Sequence, residues 1–248
     1  MVSNLTSLLA SASIDDHEEA LQTANTALKS SPQDLDALHT RVVALIKLDR
    51  FSEALRALDD GGDALATRCA LEKAYTLYKL GELEEAQKIA SDAQGARGLT
   101  HVAAQAAYRA EKFEDTAKLY RELAVGHATI DGEENDIRIN SIATDAQLQS
   151  SGRGDLVEQS RKKPGREDLE AFETTYNAAC GYIARGELNA ASTLLKRARD
   201  LCEALDWASE EEMKAELLPI MVQQAYVFTR LGKVDEARAL QDSINSEE

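Results

Sequence analysis

Small and large apolar residues recur at helical spacing along most of this chain. The clearest stretch runs over 66–93, ATRCALEKAYTLYKLGELEEAQKIASDA. Ala70, Ala74 and Leu77 form one stripe, and Leu71, Tyr75 and Tyr78 form the stripe beside it. Gly81 follows the last periodic residue, where a helix commonly ends on a left-handed residue. A second helix then carries Leu83, Ala86, Ile89, Ala90 and Ala93. Upstream, a short helix is expected over 5–11. The next is capped by Asp15 or Asp16, with Glu18 and Glu19 near its positive end, and is closed by Pro32. Asp34 or Asp36 opens a helix pair over 37–60, and Gly61-Gly62 stops it. Gly95 and Gly98 punctuate before a pair over 100–124. Ile137, Ile139, Ile142, Ala143, Ala146 and Leu148 predict one helix, broken by Ser150-Ser151-Gly152-Arg153-Gly154-Asp155. The residues 156–160 are too few for a partner helix, and Pro164-Gly165 makes 161–166 a loop. Regular pairs return over 171–205 and 216–244, delayed between by the acidic run Ser209 to Glu212. That delay is assigned to a lengthened second helix.

One unit is repeated. A large apolar residue stands three places before a small one in Phe51/Ala54, Leu83/Ala86, Phe113/Thr116, Leu188/Ala191 and Val234/Ala237. His17/Ala20 is a weaker first copy, followed by Ala24, Ala27 and Pro32. Ala20, Ala54, Ala86 and Thr116 follow one another at 34, 32 and 30 residues. Helix–turn–helix units of about 34 residues with small residues at fixed offsets are the tetratricopeptide (TPR) pattern. A single unit cannot bury its apolar face, so the copies must stack. The expected fold is an all-α TPR-type solenoid, a right-handed superhelix of antiparallel helix pairs. Its expected parts are N-terminal repeats over 1–125, a degenerate repeat and hinge loop over 126–166, and C-terminal repeats over 167–248. The last unit has no polar capping helix, so the array is expected to continue in a longer protein.

Charge narrows the function. The net charge of −16 over 248 residues argues against a general nucleic-acid binder, which needs Lys and Arg to displace counterions. No apolar run approaches the roughly 20 residues of a membrane span. The first residues lack the basic segment of a signal peptide. Cys69, Cys180 and Cys202 are odd in number and widely spaced, which reads as reduced thiols in the cytoplasm; Asn4-Leu5-Thr6 is then a chance sequon. None of His17, His39, His101 and His127 forms a metal motif or stands beside a cysteine at metal spacing. Gly152 and Gly154 lack the strand that a dinucleotide loop needs, and no nucleophile–base pair is visible. No enzyme, cofactor, metal or small-molecule substrate is expected.

The tyrosines point to a binding face. Tyr75, Tyr78, Tyr108, Tyr176 and Tyr226 fall on first helices beside the Ala stripe, whereas Tyr120 and Tyr182 fall at core positions. In stacked helix pairs the first helices line the concave groove, and tyrosine suits wet protein interfaces. Lys47, Lys79 and Arg109 share one offset in three repeats, and Arg230 matches in the last. Each is either a last-turn cation offsetting the helix dipole or a partner contact. The expected groove is His39, Val43, Ile46, Lys47, Leu71, Tyr75, Tyr78, Lys79, His101, Gln105, Tyr108 and Arg109, with Tyr176, Cys180, Tyr226 and Arg230 as further candidates. Tyr75, Tyr78 and Tyr108 are expected to form one aromatic strip edged by cations, leaving the packing to alanine.

Four stretches carry a resemblance: ALHTRVVALIKLDRFSEAL, LEKAYTLYKLGELEEA, TTYNAACGYIARGELNAASTLLKRARDLC and AELLPIMVQQAYVFTRLGKVDEARAL. They resemble the N-terminal TPR region of the seventy-two-kilodalton subunits of the signal recognition particle, over most of the chain except 126–165. The resemblance implies an array that binds the C-terminal part of the companion sixty-eight-kilodalton subunit. It implies a cytoplasmic ribonucleoprotein that targets nascent secretory chains to the endoplasmic reticulum. The family's RNA-contacting segment lies beyond the repeats, so RNA is met only indirectly. One rival is a chaperone-tail receptor, but its clamp offsets here hold His39, Val43 and Glu72. The other is direct RNA binding through 161–166 and the groove cations.

Overall fold

The computed structural model describes residues 14–92, 96–126 and 132–246. The predicted helix over 5–11, together with Ala93, Gly95 and His127, lies outside the described residues. Among those described, every regular element is helical. In chain order they are α1 (Ile14–Ser30), α2 (Leu35–Lys47), α3 (Phe51–Asp60), α4 (Gly62–Arg68), α5 (Ala70–Leu80), α6 (Leu83–Asp92), α7 (Arg97–Arg109), α8 (Phe113–Val125), α9 (Glu133–Ser150), α10 (Phe172–Ala184), α11 (Leu188–Glu203), α12 (Glu210–Arg230) and α13 (Val234–Ser246). Two compact units divide the chain, Met1–Leu119 and Tyr120–Glu248, and the division falls within α8.

From α1 to α7 each helix packs on the next, and first helices also touch. Asp34 caps α2, its carboxylate accepting from the backbone N–H of Asp36 at 3.0 Å and of Ala37 at 3.2 Å. The helix α1 begins at Ile14, so Asp15 and Asp16 lie in its first turn and not at the cap. Gly81 ends α5 at φ 89°, the left-handed turn read from its position. The core of α1 to α4 holds Leu21, Val42, Ala44, Leu45, Ala54, Ala57, Leu58, Leu65 and Cys69. Leu77, Ala86 and Ala106 form the next cluster, so the alanine of the repeat signature sits where neighbouring helices approach closest.

Gly61-Gly62 stops α3 at Asp60, as read, but Gly62, at φ 71°, then starts the short helix α4, whose Leu65 is wholly buried and which the repeat pattern does not predict. One glycine expectation needs correction. Gly98 does not punctuate but lies inside α7, where a Cβ would meet Leu71 Cδ2 at 3.2 Å.

In the second unit, α9 is the single helix predicted over 137–148. The following segment is a loop with two short 3-10 turns, Gly154–Leu156 and Glu167–Leu169. It is tied down at several points. Val157 is buried, Arg161 Nε donates to Asp145 Oδ2 at 2.7 Å, and Arg197 Nε donates to the Leu169 carbonyl at 2.9 Å. The core proper joins α10, α11 and α12 through Phe172, Ala179, Ala191, Leu195, Ala198, Cys202, Leu217, Ile220, Met221 and Val227. Trp207 seals it, its ring edge-on to Phe172 at 6.0 Å and its indole N–H donating to the Cys202 carbonyl at 2.8 Å. The acidic run does not delay a helix; it starts one. Ser209 Oγ accepts from Glu212 N at 3.1 Å, and Glu210, Glu211 and Glu212 fill the first turn of α12, where the helix dipole favours acids. The extra residues are therefore shared, with α11 at 16 residues against 10 in α3 and α6, and α12 at 21 against 13 in α10.

The Asp145–Arg161 pair makes a testable point. Asp145 is 8% exposed, and burial raises its carboxyl above the usual range, with Arg161 pulling the other way. A carboxyl with a raised folded pKa stabilises in its protonated form. That contribution is present below the ordinary value and is lost as pH rises through the folded pKa. Arg161→Gln raises the folded pKa further. Breaking a buried pair costs about 3–5 kcal/mol. Arg161 is itself exposed and water replaces part of its role, so about 1–2 kcal/mol is expected at neutral pH. The deficit relative to wild type should shrink as pH falls towards about 4. Denaturant melts of both proteins at neutral and acid pH read this directly.

Candidate functional site: the first-helix face

In the first unit α2 packs beside α5, and α5 beside α7. Each of these helices buries one stripe and leaves the adjoining one half open. On α2, Ala37, Val42, Ala44 and Leu45 are buried, while His39, Val43 and Ile46 are half-buried and Lys47 is exposed. On α5, Ala74, Thr76 and Leu77 are buried, Tyr75 and Tyr78 half-buried, and Leu71 and Lys79 exposed. On α7, His101, Gln105 and Tyr108 are half-buried and Arg109 is exposed. The structure thus brings all twelve predicted residues onto three neighbouring helices, eight half-buried and Lys47, Leu71, Lys79 and Arg109 exposed, on the faces that helical spacing assigns them.

Cross-helix contacts knit this face. His39 Nε2 and Glu72 Oε1 are 2.9 Å apart, joining α2 to α5. Leu71 lies over Gly98, joining α5 to α7, where any side chain on Gly98 would displace it. Arg109 donates to the Tyr78 carbonyl at 2.8 Å and lies 5.0 Å from the centre of its ring. That carbonyl is in the last turn of α5, so Arg109 caps the preceding repeat's first helix and not its own. Lys79 lies 5.2 Å over the Phe51 ring.

The aromatic residues form two groups and not one strip. Tyr75 and Tyr78 are 6.3 Å apart, and Phe51 stands edge-on to Tyr75 at 6.3 Å. Tyr108 stands edge-on to Phe113 at 5.5 Å. Arg109, next to Tyr108 in the chain, bridges the groups. The rings also pack. Tyr75 and Tyr78 lie against the cluster of Ala74, Leu99 and Val102, and Tyr78 also lies against Leu77, Ala86 and Ala106. Alanine stripes alone do not fill the space between these helices; the tyrosine rings complete it and keep one edge open. Phe51 and Phe113 were legible only as the large residue of the repeat signature, and their ring contacts depend on a neighbouring helix that spacing does not locate.

The second unit holds the remaining candidates. Tyr176 is half-buried against the Leu195–Cys202 core, and Tyr182 joins it there, as read. Tyr120 is buried, also as read. Cys180 is half-buried, and burial pushes its thiol up while a hydrogen bond with Tyr176 pulls it down. Tyr226 is 42% exposed, its hydroxyl accepting from Arg230 at 2.6 Å. Leu218 and Val222 are exposed two turns and one turn before it on α12.

The three cysteines share one electrostatic trend. Burial pushes the Cys69 thiol up to about 12 and the Cys202 thiol up to about 11. With Cys180 also raised, the thiols stay protonated at neutral pH, whereas a reactive cysteine needs its thiolate. No described helix is long and apolar enough to cross a membrane.

Residues 13–147 match the SRP_TPR_like family, a TPR-like repeat. The chain is 33% identical to the human signal recognition particle subunit SRP72 over 92% of its length, covering 34% of that protein. It is 28% identical to the Caenorhabditis elegans SRP72 over 93% of its length, covering 35% of that relative. The chain therefore spans about a third of the curated relatives it matches. Among solved structures it is similar in fold to the apo form of the quorum sensor NprR from B. thuringiensis. That match has a TM-score of 0.57 and 16% identity, over 99% of this chain and 85% of that one. Stacked helix pairs, the alanine signature and the match over 13–147 together place this chain in the SRP_TPR_like family of TPR-like repeats.

Proposed function

We propose that this chain is the protein-binding repeat region of a signal recognition particle subunit. Its first-helix face on α2, α5 and α7 holds the C-terminal segment of the companion sixty-eight-kilodalton subunit. It acts as a non-enzymatic scaffold in the cytoplasm, supporting delivery of nascent secretory chains to the endoplasmic reticulum. The observation that carries the reading is the similarity to SRP72 subunits over nine-tenths of the chain. The face supports it: tyrosine edges, Val43, Ile46 and Leu71 offer apolar contact, with Lys47 and Arg109 at the margin. This suits an apolar segment carrying some acidic residues. The face does not suit a terminal carboxylate, because Glu72 stands where a clamp would need a cation.

Tagged chain expressed in cells, purified and tested for what co-elutes, examines the reading. The sixty-eight-kilodalton subunit should co-elute at a fixed ratio. The purified chain alone should bind particle RNA only at the non-specific level, about 10⁻⁴ to 10⁻⁶ M at physiological salt. Absence of the companion subunit, or tight specific RNA binding by the isolated chain, would overturn it.

A further inference from the structure

His39, Cys69 and Glu72 come from two neighbouring repeats and meet at one point. Their donor atoms, an imidazole nitrogen, a thiol sulfur and a carboxylate oxygen, all lie within 4.8 Å of one another. Cys69 sits at the break between α4 and α5, at φ −104° and ψ 33°, wholly buried. Glu72 is three residues on, and this spacing sets it on the same side of the helix as Cys69. His39 reaches in from α2, with its side chain 20% exposed and that of Glu72 22% exposed. One donor therefore lies at the bottom of the site and two stand at its mouth, which leaves an entry path.

We propose that His39, Cys69 and Glu72 form a binding site for a single zinc ion, with the fourth position open to water. The donor types fit that metal. Zinc takes thiolate at about 2.3 Å, imidazole at about 2.0–2.1 Å and carboxylate at about 2.0–2.2 Å, in a tetrahedron. Such a tetrahedron sets its donors about 3.3–3.8 Å apart. No donor separation exceeds 4.8 Å, so the widest needs to close by no more than about 1 Å, and His39 Nε2 and Glu72 Oε1 must part slightly from their 2.9 Å contact. Both side chains stand on helices at the edge of the core, each about one-fifth exposed. The backbone around them is already fixed. Arg68, next to Cys69, pairs with Asp36 on α2 at 2.7 Å, and Lys73, next to Glu72, pairs with Asp59 on α3 at 2.8 Å. On binding, the Cys69 thiol gives its proton to solvent and the sulfur binds as thiolate. The resulting link would lock α2 to α5 across the repeat boundary. Scanning the sequence for metal spacing does not find this site, because His39 lies 30 residues before Cys69 and only repeat stacking joins them.

The test is a titration of the reduced full chain with Co²⁺, followed by displacement with Zn²⁺. Binding of one equivalent is expected, with a thiolate-to-cobalt charge-transfer band that zinc abolishes, and with a raised melting temperature in zinc. The double change Cys180→Ser plus Cys202→Ser should keep the band, and Cys69→Ser should lose it. His39→Gln and Glu72→Gln alter half-exposed groups and should stay folded by circular dichroism. Loss of groups that merely support ligands weakens metal binding about 10–100-fold, so removing a ligand should weaken zinc by about 100-fold or more. These two variants decide the matter even if Cys69→Ser fails to fold. No band, a band that survives Cys69→Ser, or unchanged zinc affinity in both glutamine variants would overturn the site and leave a His39–Glu72 contact beside a packing cysteine.

Discussion

Tyr78→Ala is expected to lower stability by about 2–3 kcal/mol. The ring is not only a surface contact. It touches both clusters around α5, one with Ala74, Leu99 and Val102 and the other with Leu77, Ala86 and Ala106. It also carries the Arg109 guanidinium at 5.0 Å. Truncating a fully buried large aromatic residue costs about 3–5 kcal/mol. Tyr78 is half-buried, which sets the smaller figure. Tyr78→Phe keeps the ring, so it should melt close to wild type. If Tyr78→Ala melts like wild type, the ring does no packing and the expectation from sequence spacing was right after all.

Leu195→Ala should cost more, about 2–5 kcal/mol, with the upper end reached if the site cannot collapse. Leu195 is wholly buried on α11 among Ala179, Ala191, Ala198, Ile220 and Val227. Its neighbours include several alanines, which have no side chain to move into the void. Val222→Ala on α12 is the control. Val222 is 48% exposed, and surface changes of this kind usually stay within about 0.5 kcal/mol. Chemical denaturation of the two variants, compared through their midpoints, checks the core assignment of the second unit.

The repeat itself was legible because its causes are local. Ala54, Ala86 and Ala191 are all wholly buried, as the three-residue signature required. Gly81 adopts the left-handed turn that its place after Leu80 implied. The half-open positions of His39, Val43, Tyr75, Gln105 and Tyr108 also follow from helical spacing. Contacts between repeats were not legible. Arg109 capping the preceding helix, Leu71 over Gly98, and the meeting of His39 with Cys69 and Glu72 all depend on how far one helix pair is displaced from the next. Gly61-Gly62 stops α3 as paired glycines usually do, but the short α4 directly behind them was not legible, because it rests on the burial of one residue, Leu65. Ser209 to Glu212 read as a delay because acids look like solvated chain, although Ser followed by acids also starts a helix.

The central claim is that the exposed edge of α2 and α5 in the first unit holds the companion subunit. Lys47→Glu plus Leu71→Glu alters that edge at two exposed positions without touching the buried clusters. The deciding measurement is calorimetric titration of wild-type and doubly changed chain with the C-terminal part of the sixty-eight-kilodalton subunit, alongside circular dichroism. The account predicts measurable binding by wild type and a loss of about 30-fold or more in the folded variant, the effect of removing a hot spot of about 2 kcal/mol. No binding by wild type, or equal affinity in the folded variant, would contradict it.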